Sequence, residues 1–214
     1  MNLLKTSALL LCIGLAGCSQ WQNTAPDQAG QSSASKKPHW WSLGSQGGAT
    51  AGESAADSQA GMAWLDQNEK PLRSAAADSG FEVERRDNAL VLIVPVDTSF
   101  HPKRPEMLLS SSLAPLGRVA KLVAADPQGG VMVVGHTDSS GSEVANDRLS
   151  VERAQAVASL FRLSGLDKER VRMRGVGSDL PRADNSTSQG RALNRRVEVL
   201  WALRGVLPTL ARNE

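Results

Sequence analysis

The eight residues from Ala89 to Val96 carry no charged or hydrogen-bonding side chain, and this run constrains the fold more than any other stretch. A short apolar run bounded by turn residues suits a central strand, covered on both faces by other parts of the chain. Just before it, Phe81, Val83 and Arg85 alternate with charged residues, and Asp87-Asn88 supplies turn chemistry, so residues 81–96 read as a hairpin.

The remainder alternates between two periodicities. Trp64 to Ser79 is helical in composition, with Gly80 as its C-cap. Pro105 opens a second helix to Ala125, with Leu109, Leu113, Leu116, Ala120 and Val123 on one face and Pro115 kinking it or marking its start. Pro127-Gln128-Gly129-Gly130 then turns the chain into a strand from Val131 to Val134. The loop Gly135 to Ser142 leads to a long helix from Glu143 to Leu163, closed by Gly165. Val171 to Gly175 is a short strand and Arg182 to Ser188 a polar loop. Arg195 to Trp201 is a last strand, with Val197, Val199 and Trp201 on one side. Strands alternating with helices predict an α/β sandwich: helices packed on a mixed sheet of four to five strands, with a helix ahead of it.

The N-terminus is of another kind. Lys5 and the apolar run Ala8 to Leu15 have the layout of a secretory signal too short to span a bilayer. Leu15-Ala16-Gly17-Cys18 resembles the lipobox of bacterial lipoproteins, which implies a signal peptide over 1–17 and a diacylglycerol on Cys18. Cys12 falls in the discarded segment, so the mature chain has one cysteine and forms no intramolecular disulfide. Ser19, rather than Asp, after the cysteine resembles the pattern sent to the outer membrane. Residues 18–60, rich in Gln, Ser, Gly and Ala with no apolar period, read as a lipidated flexible linker, and 61–80 as a helical lead-in. Trp21, Trp40 and Trp41 stand out in this linker, and Lys36 to Trp41 is a candidate contact for a periplasmic protein; resting in the lipid headgroup zone is the plainer reading. A formal charge of +2, evenly spread, excludes a nucleic-acid surface.

In the second long helix Asn146, Leu149, Ser150, Arg153, Val157 and Leu160 fall on one stripe. An arginine there either lays its stem on the core and its head in solvent, or meets a carboxylate or a ligand. Topology places Asp138, in the loop Gly135-His136-Thr137-Asp138-Ser139-Ser140-Gly141, near the start of the same helix. The two either pair internally or bind the two charges of a zwitterion, ammonium on the carboxylate and carboxylate on the guanidinium fork.

The stretches Gly135-His136-Thr137-Asp138 and Asn146-Asp147-Arg148-Leu149-Ser150-Val151-Glu152-Arg153-Ala154 are similar to the peptidoglycan-binding signature of the OmpA C-terminal family, which includes the peptidoglycan-associated lipoproteins. Arg174-Gly175-Val176-Gly177 with Pro181, and Gly190-Arg191-Ala192-Leu193-Asn194-Arg195-Arg196-Val197-Glu198, resemble its later blocks in the same order. The resemblance implies an OmpA-like domain over 81–204 followed by a tail over 205–214. It implies that Asp138 holds the ammonium and Arg153 the carboxylate of meso-diaminopimelate in the wall's stem peptide. Thr137, Asn146 and Leu149 shape the pocket. Of Arg195 and Arg196 only one can face it, because adjacent strand residues point to opposite sides, and Arg196 is the choice. Two departures stand out: Ser139 replaces the common Asn, and Thr98 to Arg104 lacks the usual acidic residues after its Phe.

The function expected is non-covalent tethering of the outer membrane to the wall, with the domain facing the periplasm. A signalling or assembly lipoprotein that uses wall binding to position a partner-binding face is the alternative. Three histidines, none spaced with another His or Cys as metal ligands, and no nucleophile elbow point away from an enzyme, a metal or a cofactor.

Overall fold

A computed structural model describes residues 51–213. The signal peptide, Cys18 and the tryptophan-bearing part of the linker lie outside the described residues. Helix α1 (Ala51–Ala75) leads into strand β1 (Glu82–Arg86) and β2 (Ala89–Pro95). The short α2 (Val96–Ser99) is followed by a two-stranded ribbon, β3 (Phe100–His101) and β4 (Arg104–Leu108). Next come α3 (Ser110–Ala125), β5 (Gly129–Gly135), α4 (Glu143–Leu163), β6 (Val171–Gly175), α5 (Ser188–Asn194), β7 (Arg196–Leu203) and α6 (Leu207–Asn213).

The main sheet has the order β1-β2-β7-β5-β6, antiparallel except for the parallel pair β5 and β6. It is the mixed sheet that the alternation of elements predicts, and β2 lies inside it between β1 and β7. The run Ala89 to Val96 is apolar on both sides because it is buried on both sides. Leu90, Leu92 and Val94 join Val131, Val133, Val199 and Trp201 under α1, α3 and α4, while Val91 and Ile93 join Met132, Val134 and Leu200 on the opposite face.

Four expectations change. Helix α1 begins at Ala51 rather than at 61, because its first turns are Ala-rich and helix-competent but exposed from Asp57 to Ala60, so no apolar period marks them. Its apolar contacts start at Trp64, which packs edge-on against Trp201 at 5.1 Å and donates from Nε1 to Asp126 Oδ2 at 3.1 Å. No helix starts at Pro105, which sits in β4, outside the main sheet, where a missing N–H costs little. Helix α3 starts at Ser110 and takes Pro115 within its run. The region read as loop, then strand, contains α5, capped by Thr187 Oγ1, which accepts from Gly190 N at 2.9 Å. The C-terminal tail is not loose: α6 sets Leu207 on the second face of the sheet beside Met132, Leu200 and Ala202.

Helix α4 lies on the sheet in direct backbone contact. A Cβ added to Gly135 would come within 2.0 Å of Ser150 O, and one on Gly175 within 2.3 Å of Ser150 Oγ. Only glycine at the ends of β5 and β6 lets α4 come this low, and Arg153 follows one turn later.

Candidate functional site

The ends of β5, α4 and α2, together with the β3–β4 ribbon, converge on Arg153. Ser142 caps α4, its Oγ accepting from Ala145 N at 3.3 Å. Asn146, on the first turns, donates from Nδ2 to Asp138 O at 3.3 Å and to Ser140 O at 3.0 Å, fixing the loop before the helix. That is the loop-holding role its place in the sequence suggests.

Arg153 is 4% exposed, so the solvent-reaching reading of this residue does not hold. Its Nε donates to Pro105 O at 2.9 Å, and its Cζ lies 5.9 Å from the centroid of the Phe100 ring. Its Nη1 is buried with no hydrogen-bond partner among the described residues. Burial, reinforced by the like charge of Arg195, pushes the Arg153 pKa down to about 10, although Asp138, Asp97 and Glu106 pull the other way. It stays charged at neutral pH, and a buried guanidinium N–H without an acceptor costs on the order of 1–3 kcal/mol or more. Beside it opens a pocket of about 310 Å³, lined by Val96, Asp97, Phe100, His101, Pro102, Pro105, Arg153 and Arg195.

Asp138 does not pair with Arg153. Its Oδ1 accepts from Ser140 N at 2.9 Å, and its Oδ2 accepts from Arg195 Nη1 at 2.5 Å. Burial would raise the Asp138 carboxyl, but these hydrogen bonds win and hold it below the ordinary aspartate value. Arg195 also grips Asp97, with Nε on Oδ1 at 2.7 Å and Nη2 on Oδ2 at 2.6 Å. The Asp97 bonds, opposed by burial and joined by Asp138, raise the Arg195 pKa further above its ordinary value.

Arg195, not Arg196, therefore faces this site. Arg196 is on the opposite face of β7, where its Nε donates to Glu198 Oε1 at 2.7 Å and its Nη2 to Leu180 O at 3.3 Å. The sequence held the signal for this: Arg195 has the parity of Val197, Val199 and Trp201, which face α4, whereas Arg196 shares the parity of Glu198 and Leu200. Thr137 is buried beside Asp138, with its N–H donating to Gly177 O at 2.8 Å and its Oγ1 without a partner among the described residues. Leu149 is half-buried on α4, and neither it nor Thr137 or Asn146 forms the pocket wall. Asp97, His101 and Pro105 escape the sequence reading because it takes residues 98–104 as a strand-to-helix segment and Pro105 as the helix start, where the chain forms a ribbon.

A wider cleft of about 460 Å³ runs past Ser74, Ser79, Thr98, Ser112 and Arg118. There Arg118 is committed to Ala75 O and Ala77 O, both at 3.1 Å, so this cleft is a seam between α1 and α3. Among the described residues, no three His, Cys, Asp or Glu side chains gather as a metal site would require, and no helix is long and apolar enough to cross a membrane.

Arg153, Arg195 and Asp97 thus line a small pocket, Asp138 bonds Arg195 without lining it, and Arg153 Nη1 is a buried donor with no partner among the described residues. Fold and site together define an α/β module with a small charged pocket. The family model described as "OmpA family" matches residues 104–195 of this chain. The Escherichia coli protein named "Probable lipoprotein YiaD" is 36% identical over 141 residues, which are 64% of this chain and 62% of that protein. "Peptidoglycan-binding protein ArfA" of Mycobacterium tuberculosis is 42% identical over 85 residues, 40% of this chain and 26% of that one. The chain thus spans less than two thirds of the length of these relatives. Among solved structures, the cell wall anchor of the T6SS from Pseudomonas aeruginosa aligns with a TM-score of 0.51 at 26% identity, covering 67% of this chain and 96% of the other.

Proposed function

We propose that this protein is a lipoprotein of the outer membrane that binds peptidoglycan without covalent chemistry, taking the free zwitterionic centre of diaminopimelate between Asp138 and Arg153. The observation that carries the reading is Arg153, a buried cation whose side chain lines the pocket and whose Nη1 has no hydrogen-bond partner among the described residues. A ligand carboxylate in the pocket meets the Arg153 guanidinium. The ligand's ammonium meets Asp138, whose carboxylate has lone pairs beyond those used by Ser140 N and Arg195. Two cations, Arg153 and Arg195, against two anions, Asp97 and Asp138, leave the site electrically balanced, which suits a zwitterion better than a lone ion. The names of ArfA and of the cell wall anchor support a wall ligand, and the name of YiaD supports the lipid anchor that Cys18 implies.

The role is that of a tether: acyl chains on Cys18 hold one end in the outer membrane and the pocket grips the stem peptide at the other. Each charge-assisted hydrogen bond contributes roughly 1.5–3 kcal/mol, so one pocket binds modestly. Many copies on one membrane bind a continuous wall with far higher effective strength. Asp138→Ala and Arg153→Ala in the full-length chain are expected to abolish co-sedimentation with diaminopimelate-type sacculi while far-UV circular dichroism stays native. Both variants folded and still sedimenting like the parent would refute the assignment. No bond is cleaved in this reading, and release of muropeptides from purified sacculi by the parent chain would contradict it.

A further inference from the structure

Resting on the assignment of Asp138 and Arg153 above, we infer that Asp97 is a positioning residue for the site: it holds the Arg195 guanidinium along one edge, through two of its nitrogens, so that Asp138 stays available to the ligand's ammonium. Arg195 stands between two carboxylates that are not equivalent. Asp97 takes it bidentately, through Nε and Nη2, whereas Asp138 takes only Nη1. The Asp97 side chain is 46% exposed and lines the pocket with Arg153 and Arg195, while the Asp138 side chain is 10% exposed, does not line the pocket and is bonded to Arg195. Arg195 thus both lines the pocket and bonds Asp138, so an ammonium that takes Asp138 competes with this guanidinium.

A bidentate guanidinium–carboxylate pair fixes both position and plane, which a single contact does not. With Asp97 in place, Arg195 keeps a full counter-charge when the ammonium takes over Asp138, so its Nη1 can yield without leaving a half-buried cation unpaired. Without Asp97, the only carboxylate that the described hydrogen bonds give Arg195 is Asp138. Arg195 then closes onto Asp138 and competes with the ammonium for the same oxygens. In this inference Asp97 acts through Arg195, which donates to each of its oxygens. Asp97 sits in α2 immediately after the long apolar strand β2, and Arg195 immediately before β7. Their contact therefore follows from the antiparallel pairing of these strands, in which Pro95 lies opposite Arg196.

The test is a set of titrations of a soluble diaminopimelate-containing muropeptide into the full-length chain, by calorimetry. Asp97→Asn is expected to weaken binding about tenfold, the scale of one lost charge-assisted contact. Asp97→Glu, which restores the carboxylate, is expected to recover most of that loss. In an Arg195→Met background, Asp97→Asn is expected to change the affinity by less than about twofold, because the residue through which it acts is gone. Parent-like affinity in Asp97→Asn, or the same tenfold loss in the Arg195→Met background, would overturn the inference. The second result would mean that Asp97 touches the ligand itself. Arg153→Ala serves as the reference for the underlying assignment. A parent chain that binds, with binding lost in Arg153→Ala but unaffected in Asp97→Asn, sinks the positioning role alone. A parent that does not bind the muropeptide sinks both.

Discussion

Arg153 shows how a single residue can announce a site. Its place on an apolar helical stripe was legible without coordinates, because a cation there must find acceptors. The structure adds that it finds one, Pro105 O, and leaves a second donor unused. The partner of Asp138 was not legible in the same way. Loop topology brings Asp138 near the helix but does not say which of several cations reaches it, and the closest proves to be Arg195. His136, two residues before Asp138, makes a separate prediction. It is 1% exposed, both ring nitrogens lack a partner among the described residues, and burial, aided by the charge of Arg196, lowers its pKa to about 3. A histidine whose folded pKa lies below its unfolded value stabilises the fold above about pH 6.5, and that stability is lost as the pH falls from there towards 3. Urea denaturation of the parent should therefore lose about 1–2 kcal/mol between pH 6.5 and 5 from this residue. His136→Leu should remove that part of the slope, and an unchanged slope would show that His136 does not titrate in this manner.

At the scale of elements, the core strands and α4 were readable because each obeys one periodicity over its full length. The ribbon β3–β4 was not, since strands of two and five residues with Pro102 and Pro105 carry too little pattern to distinguish a ribbon from a helix approach. Helices α5 and α6, each of seven residues, are likewise too short for a period to show. The contact between α4 and β5 sets the height of Arg153 over the sheet, and Gly135 sets that contact. Gly135→Ala places a methyl against Ser150 O, a backbone atom that cannot swing aside, and is expected to cost about 1–3 kcal/mol in urea denaturation. Because α4 must lift, the same variant is expected to weaken muropeptide binding. For α6, Leu207 is 3% exposed against the second face of the sheet, and Leu207→Ala is expected to cost about 2–4 kcal/mol with no change in muropeptide affinity once folded. Equal stability in Leu207→Ala would mean that α6 is not part of the cooperative unit.

For the whole molecule, the proposed tether has a lipid-anchored end and a wall-binding end. Cys18→Ser removes the acylation site that the lipobox resemblance implies, and is expected to move the protein from the membrane pellet to the soluble periplasmic fraction while leaving its affinity for sacculi unchanged. Membrane retention of that variant would argue against the anchor. At the other end, the proposed site sets balanced charges to read a zwitterion. A wall built with lysine in place of diaminopimelate keeps the ammonium for Asp138 but lacks the carboxylate for Arg153. The most direct measurement is co-sedimentation of the full-length chain with diaminopimelate-type and lysine-type sacculi side by side. The account predicts that the protein pellets with the first and stays in the supernatant with the second; equal pelleting with both would contradict it.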